Sequence, residues 1–318
     1  MIPRQSATLT GLLAVLLWSA VVGMIRSITE SFGPTAGPAM LYTIATGLLW
    51  LTLGVPRLRR FSPSYLCVGT LLAAGCELCL INSIGYARSE QQAIEVGMVN
   101  YLWPTLTVVA SILFNGKKAN ALIFPGVFLS LTGIFRILAG QSGLSLSAFA
   151  QNIQGNPLSF GLSLTGAVLW ALYSSLTTRS GRGQNAVTVF FPLLAVLLWG
   201  HLLLTGSTVF PPGSLTLHGV GTLVLGAAAL GFGYAAWNVG ILYGNITVLA
   251  AASNLIPIFS AVLAAALLHT FLPLAFWEGS LIVCIGSALC WLATRRQPLP
   301  AVTSPTLPRP LSCTGVKE

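Results

Sequence analysis

The sequence contains no aspartate at all. Its acidic residues are six glutamates, and with 15 Lys and Arg only 7% of the 318 residues carry a charge. A soluble domain carries roughly 25% charge, so about 80 charged residues would be expected at this length. Too few remain to cover a water-facing surface, which excludes a soluble enzyme, a secreted domain and a nucleic-acid binder. Without Asp, no Ser–His–Asp set can be assembled. No G-x-x-x-x-G-K-[ST] phosphate loop occurs, so the chain is not by itself an ATP-driven pump. The three histidines, His201, His218 and His269, are scattered without metal-ligand spacing. Cys76 and Cys79 form a C-x-x-C, but inside an apolar stretch that lacks a zinc or redox context. Cys67, Cys284 and Cys290 also fall in apolar stretches, where disulfides are not expected. No catalytic residue, metal or cofactor is expected, and the protein does not read as an enzyme.

What the chain has in quantity is apolar sequence. Hydrophobic residues make up 55% of it, and the mean hydropathy is +0.84. A helix needs roughly 20 residues to cross the hydrocarbon of a bilayer. Apolar runs between Gly, Pro and charged breaks give ten candidate spans, at 8–28, 35–55, 64–87, 91–114, 121–139, 158–178, 187–205, 217–242, 246–269 and 273–294. The first run, preceded by Arg4, shares features with a signal peptide. Nine further spans follow, and Arg26 lies just beyond it, so it reads as a retained first helix. The expected fold class is an all-α membrane protein of ten transmembrane helices.

The positive charges are unevenly placed. One set of loops holds Arg4, Arg57, Arg59, Arg60, Lys117, Lys118, Arg179, Arg182, Arg295, Arg296, Arg309 and Lys317, against Arg26, Arg88 and Arg136 on the other. By the positive-inside rule, both termini are expected in the cytoplasm. The net charge of +9 is thereby explained by topology, with no nucleic-acid partner. Residues 297–318 are rich in Pro, Ser and Thr and read as a disordered cytoplasmic tail.

The chain also resembles itself. Pro104 pairs with Pro257, and Gly126 and Gly133 with Gly279 and Gly286, all at an offset of 153 residues. Leu17-Trp18 matches Leu169-Trp170 at an offset of 152. Residues 1–140 and 141–296 therefore read as two five-helix repeats. Five is odd, so the second must enter the membrane inverted. Inverted repeats characterise secondary transporters, which bind substrate near the midplane where the repeats meet.

Several residues stand out at that depth. Trp18, Trp103 and Trp170 fall near the centres of their spans, where an indole N–H needs a partner or a wet cavity. Trp50, Trp277 and Trp291 lie near span ends and suit an interfacial belt. Pro104 and Pro257 are expected as helix kinks that free the carbonyls of Asn100 and Ser253. Asn100, Tyr101 and Asn254 make those kinks polar. Tyr101 and Trp103 sit about 200° apart on a helical wheel, so one cavity can take both only if the turn is distorted. Asn82 shares a polar stripe with Cys79 and Tyr86, while Glu77 lies on nearly the opposite face. An intramembrane carboxylate is costly. Glu77 is a possible site for a substrate ammonium or a proton, and helix-to-helix hydrogen bonding would also account for it. Tyr173 extends the aromatic face of Trp170, and Tyr234, Trp237 and Asn238 do something similar in the eighth span. Glu95, Glu278 and Arg136 fall nearer the span ends, where snorkelling suffices. The small residues of the fifth and tenth spans allow close helix approach, in a scaffold or a homo-oligomer.

Ten spans, a five-plus-five duplication and short loops resemble the drug/metabolite transporter superfamily, EamA type, over about residues 8–296. Within it, V-N-Y-L-W-P-T-L-T at 99–107 is similar to the bacterial aromatic amino acid exporter branch. Many relatives carry a Gly-Glu pair after the fourth and ninth spans, where this chain has Asn115-Gly116-Lys117-Lys118 and His269-Thr270. The resemblance implies a bacterial inner-membrane exporter of aromatic amino acids or similar amphiphilic aromatic solutes, acting by alternating access. Substrate contacts are expected at Trp18, Asn82, Asn100, Tyr101, Trp103, Trp170, Tyr173 and Asn254. Its partners would be a small aromatic substrate and the lipid bilayer. A broad exporter of aromatic cations or drugs, with Glu77 as charge partner, is the alternative within transport. A non-transporting membrane scaffold is the alternative outside it.

Overall fold

The computed structural model describes residues 3–180, 187–205 and 215–294. The tail at 297–318 lies outside the described residues, as do Arg182, Arg295 and Arg296. Every regular element among the described residues is helical. In chain order the helices are α1 (Arg4–Ser19), α2 (Val21–Phe32), α3 (Ala36–Leu53), α4 (Thr70–Gly85), α5 (Glu90–Asn100), α6 (Trp103–Asn115) and α7 (Ile123–Ala139). They continue as α8 (Leu146–Gly155), α9 (Pro157–Ser180), α10 (Val187–Thr205), α11 (Leu217–Tyr243), α12 (Ile246–Ser253), α13 (Ile256–Leu267) and α14 (Leu274–Ala293).

Among the described residues, eight helical stretches are long and apolar enough to cross a membrane, one of them 90–115, which joins α5 and α6. The α1–α2 pair passes the same test as one unit bent by 40° at Ala20. α12 and α13, with eight and twelve residues, are each too short to cross alone. The outer surface carries Leu9, Leu51, Leu71, Phe124 and Phe128 well exposed, as a lipid-facing surface requires. This is a multi-pass membrane protein.

Two breaks share one construction. α5 ends at Asn100 and α6 begins at Trp103, with Pro104 in its first turn. α12 ends at Ser253 and α13 begins at Ile256, with Pro257 in its first turn. The sequence reading expected a kink within a continuous helix at each proline. Instead each proline opens a new helix, where its missing N–H was unsatisfied in any case. A proline within a helix does occur, at Pro192 of α10. The segment between α7 and α9, which falls between the fifth and sixth candidate spans, contains the short amphipathic α8, whose Ser145 cap accepts from the Ala148 N–H.

Small residues set the closest helix contacts. A methyl group built on Gly133 of α7 would lie 2.6 Å from the Gly279 carbonyl of α14, and one on Gly279 the same distance from that of Gly133. These faces are consumed within the chain, so the glycines build an internal scaffold contact. The stretches 1–140 and 141–296 also interlock. α1 packs along α11, while α9 is bonded to α4 and α5. Ser159 Oγ donates to the Ser83 carbonyl (2.5 Å), Ser163 Oγ to Val96 (2.6 Å) and Asn156 Nδ2 to Tyr86 (2.9 Å).

Arg26 pairs with Glu30 at 2.6 Å and donates to the Ala87 carbonyl. Arg136 pairs with Glu278 at 2.7 Å. Glu95 does not snorkel: it is buried and receives bonds from Gln91 Nε2 (2.8 Å) and Asn152 Nδ2 (3.2 Å).

Candidate binding cavity

A cavity of about 290 Å³ lies between α1, α2, α4, the α5–α6 break, α9 and α11. It falls near the lower end of small-molecule sites, which span roughly 300–1,000 Å³. Two more open clefts, at Arg4 and beside Glu95, lie away from the aromatic side chains.

Two aromatic groups line the cavity. In one, Trp18 of α1 meets Tyr234 edge-on at 5.0 Å and Trp237 at 5.2 Å, both from α11. In the other, Trp103 of α6 and Trp170 of α9 stand edge-to-face with centroids 6.1 Å apart. Such geometry presents both ring faces and ring edges to an incoming aromatic solute. The Trp18 indole N–H is buried without a hydrogen-bond partner among the described residues, pressed against Gly233 of α11. A side chain at Gly233 would put its Cβ 2.8 Å from that nitrogen, so only glycine admits this ring position.

The α5–α6 break accounts for the next part of the wall. The helix tightens there into a turn, the Tyr101 N–H shared between the Gly97 and Met98 carbonyls and the Leu102 N–H bonded to Val99, and Asn100, Tyr101 and Trp103 all border the cavity. The distortion required for Tyr101 and Trp103 to share it is therefore present. Asn100 Nδ2 donates to the Ser163 carbonyl at 3.3 Å, a long bond.

The polar focus is Glu77 of α4, which borders the cavity and is only 6% exposed. The Tyr42 hydroxyl donates to its Oε2 at 2.5 Å, and the Tyr234 hydroxyl donates to its Oε1 at 3.2 Å. Phe191 of α10 packs edge-on to both phenol rings, 5.0 Å from Tyr42 and 5.2 Å from Tyr234. Among the described residues no Lys or Arg lines the cavity, and Glu77 is its one acidic side chain.

Of the residues expected to contact substrate, Trp18, Asn100, Tyr101, Trp103 and Trp170 line this one space, and Glu77 joins them. Three do not. Asn82 Nδ2 turns back to the Leu78 carbonyl of its own helix at 2.8 Å. Tyr173 is buried behind Trp170, between that ring (5.4 Å) and Phe190 (5.8 Å). Asn254 is buried in the α12–α13 break, off the cavity wall. The expected Cys79–Asn82–Tyr86 stripe faces elsewhere, because α4 turns Cys76, Glu77 and Leu80 inward. Cys79 lies against α9, where a Cβ on Gly166 would touch it, and Tyr86 is 46% exposed. Sequence reasoning missed Tyr42 and Phe191. A tyrosine in the middle of an apolar span raises the same question of a hydroxyl partner as the mid-span tryptophans did for their N–H.

Comparison with known proteins places this arrangement in context. No family model matches the chain. The aromatic amino acid exporter YddG of Salmonella typhimurium is 48% identical over 293 residues, covering 92% of this chain and 99% of its own length. The protein of that name from Escherichia coli K12 is also 48% identical, with the same coverage. That from Ancylobacter novellus is 28% identical over 269 residues, 82% of this chain and 88% of its own. A crystal structure of a protein 23% identical to this chain aligns with a TM-score of 0.64 over 92% of this chain and 98% of that one, a likeness of fold alone. At 48% identity over nearly the whole of two such relatives, the chain belongs to the aromatic amino acid exporter family of drug/metabolite transporters.

Proposed function

We propose that this protein exports aromatic amino acids across the bacterial inner membrane. The observation that carries the reading is one cavity holding Trp18, Trp103, Trp170 and a single carboxylate, Glu77. The rings supply stacking surface for an aromatic side chain. Glu77 receives the substrate ammonium. The substrate carboxylate, with no Lys or Arg among the described lining residues to meet it, is taken by uncharged donors, among which Asn100 is loosely held. A cavity of this character disfavours phosphates and other strongly anionic solutes. The names of the relatives support the same substrate class.

In this reading ten spans form two inverted five-helix repeats, 1–140 and 141–296, with both termini and the 297–318 tail in the cytoplasm. α1–α2 is the first span and α12–α13 the ninth. The matched breaks before Pro104 and Pro257 support the repeat. Transport proceeds by alternating access around the cavity, without an enzymatic step. The test is transport of labelled tryptophan and phenylalanine by the purified protein in liposomes. Saturable movement supports the reading, and its absence in folded protein contradicts it.

A further inference from the structure

Glu77 has hydrogen-bond donors supplied by the protein itself. Both its oxygens receive a phenol O–H, from Tyr42 on α3 and from Tyr234 on α11. The two donors differ in kind. Tyr42 is fully buried outside the cavity wall and bonds at 2.5 Å. Tyr234 lines the cavity and bonds at 3.2 Å.

A carboxylate at membrane depth that has neither a cation nor donors is strongly unfavourable. If a substrate ammonium were its only partner, the empty transporter could not close around it and return. Such a carrier would be confined to exchanging one substrate for another. We infer that Tyr42 and Tyr234 are standing donors that take the place of the substrate ammonium, so that the empty transporter reorients and export is net rather than obligatory exchange. This rests on the reading of Glu77 as the ammonium site.

The geometry assigns different roles to the two hydroxyls. A carboxylate offers about four acceptor positions, so an ammonium can approach Oε1 while Tyr42 keeps Oε2. The longer Tyr234 bond is the one that yields. Its ring is edge-on to Trp18 at 5.0 Å, so its release also alters the aromatic wall against which the substrate packs. Tyr42 is a positioning residue, since it reaches the substrate only through Glu77. Phe191, edge-on to both rings, keeps the phenols aimed at the carboxylate.

The experiment compares two rates in liposomes loaded with phenylalanine. One is exchange, with labelled phenylalanine inside and unlabelled outside; the other is net efflux into amino-acid-free buffer. The wild-type protein should show both. In Tyr42→Phe, and further in Tyr42→Phe/Tyr234→Phe, the ratio of net efflux to exchange should fall by about tenfold or more, the scale of a lost hydrogen bond to a charged group. Adding Glu77→Gln to the double variant removes the charge that needed the donors, and should restore the ratio even though affinity falls. If the two rates fall together, the tyrosines are merely structural and the inference is overturned. An unchanged ratio, or no recovery with Glu77→Gln, overturns it equally. A wild-type protein inactive in both assays contradicts the export reading instead.

Discussion

Tyr101 and Trp103 are two residues apart in sequence and face the same cavity, although an unbroken helix would hold their side chains about 200° apart. The two-residue gap between α5 and α6 brings them together, and Pro104 prevents the helix from closing over it. Replacing this proline by alanine restores the N–H and lets the helix run on. Pro104→Ala should therefore reduce tryptophan transport in liposomes by about fivefold or more, with helical content by circular dichroism preserved. Transport at the wild-type rate would show that the break does not depend on the proline.

Glu77 is assigned to the amino group of the substrate. Glu77→Gln keeps the shape and loses the charge, so the KM for phenylalanine should rise by about tenfold or more. Inhibition by 3-phenylpropionate, which lacks an amino group, should not weaken. Equal weakening of both ligands would mean that Glu77 supports the cavity without meeting the ammonium.

Trp170 and Trp103 meet edge-to-face across 6.1 Å. Trp170→Leu keeps apolar bulk but loses the ring, and should raise the KM for tryptophan by about five- to twentyfold. An unchanged KM would place the substrate elsewhere.

The α7–α14 contact predicts stability without function. Gly133→Ala places a methyl group 2.6 Å from the Gly279 carbonyl. Thermal unfolding in detergent should show destabilisation of about 1–3 kcal/mol. The KM for tryptophan should be unaffected, because neither helix borders the cavity.

Much of this architecture is legible in the sequence because bilayer physics is simple. Scarce charge, runs of about 20 apolar residues and a one-sided Lys/Arg pattern specify a polytopic protein. Trp18, Trp103 and Trp170 were visible for a related reason, since an indole N–H at mid-depth needs explanation. What periodicity could not supply is which face of an all-apolar helix turns inward. α4 carries polar residues on two faces, and the stripe with more of them, Cys79–Asn82–Tyr86, is not the one on the cavity. Asn82 satisfies itself on its own backbone, a choice open to any mid-helix Asn. Tyr42 was missed because its partner lies 35 residues away on another helix. Tyr173 and Asn254 followed the pattern of their neighbours, yet packing placed Tyr173 behind Trp170 and Asn254 in the α12–α13 break.

The central claim is that this cavity binds and moves aromatic amino acids. Its most direct test is saturable transport of labelled tryptophan by wild-type and Trp103→Ala protein in liposomes, with and without an imposed pH gradient. Saturable movement by the wild type, inhibition by phenylalanine, and loss of transport in a Trp103→Ala protein that remains folded are expected. Gradient dependence would add a proton role for Glu77. Transport by Trp103→Ala at the wild-type rate, or no movement of either amino acid by folded wild-type protein, would contradict it.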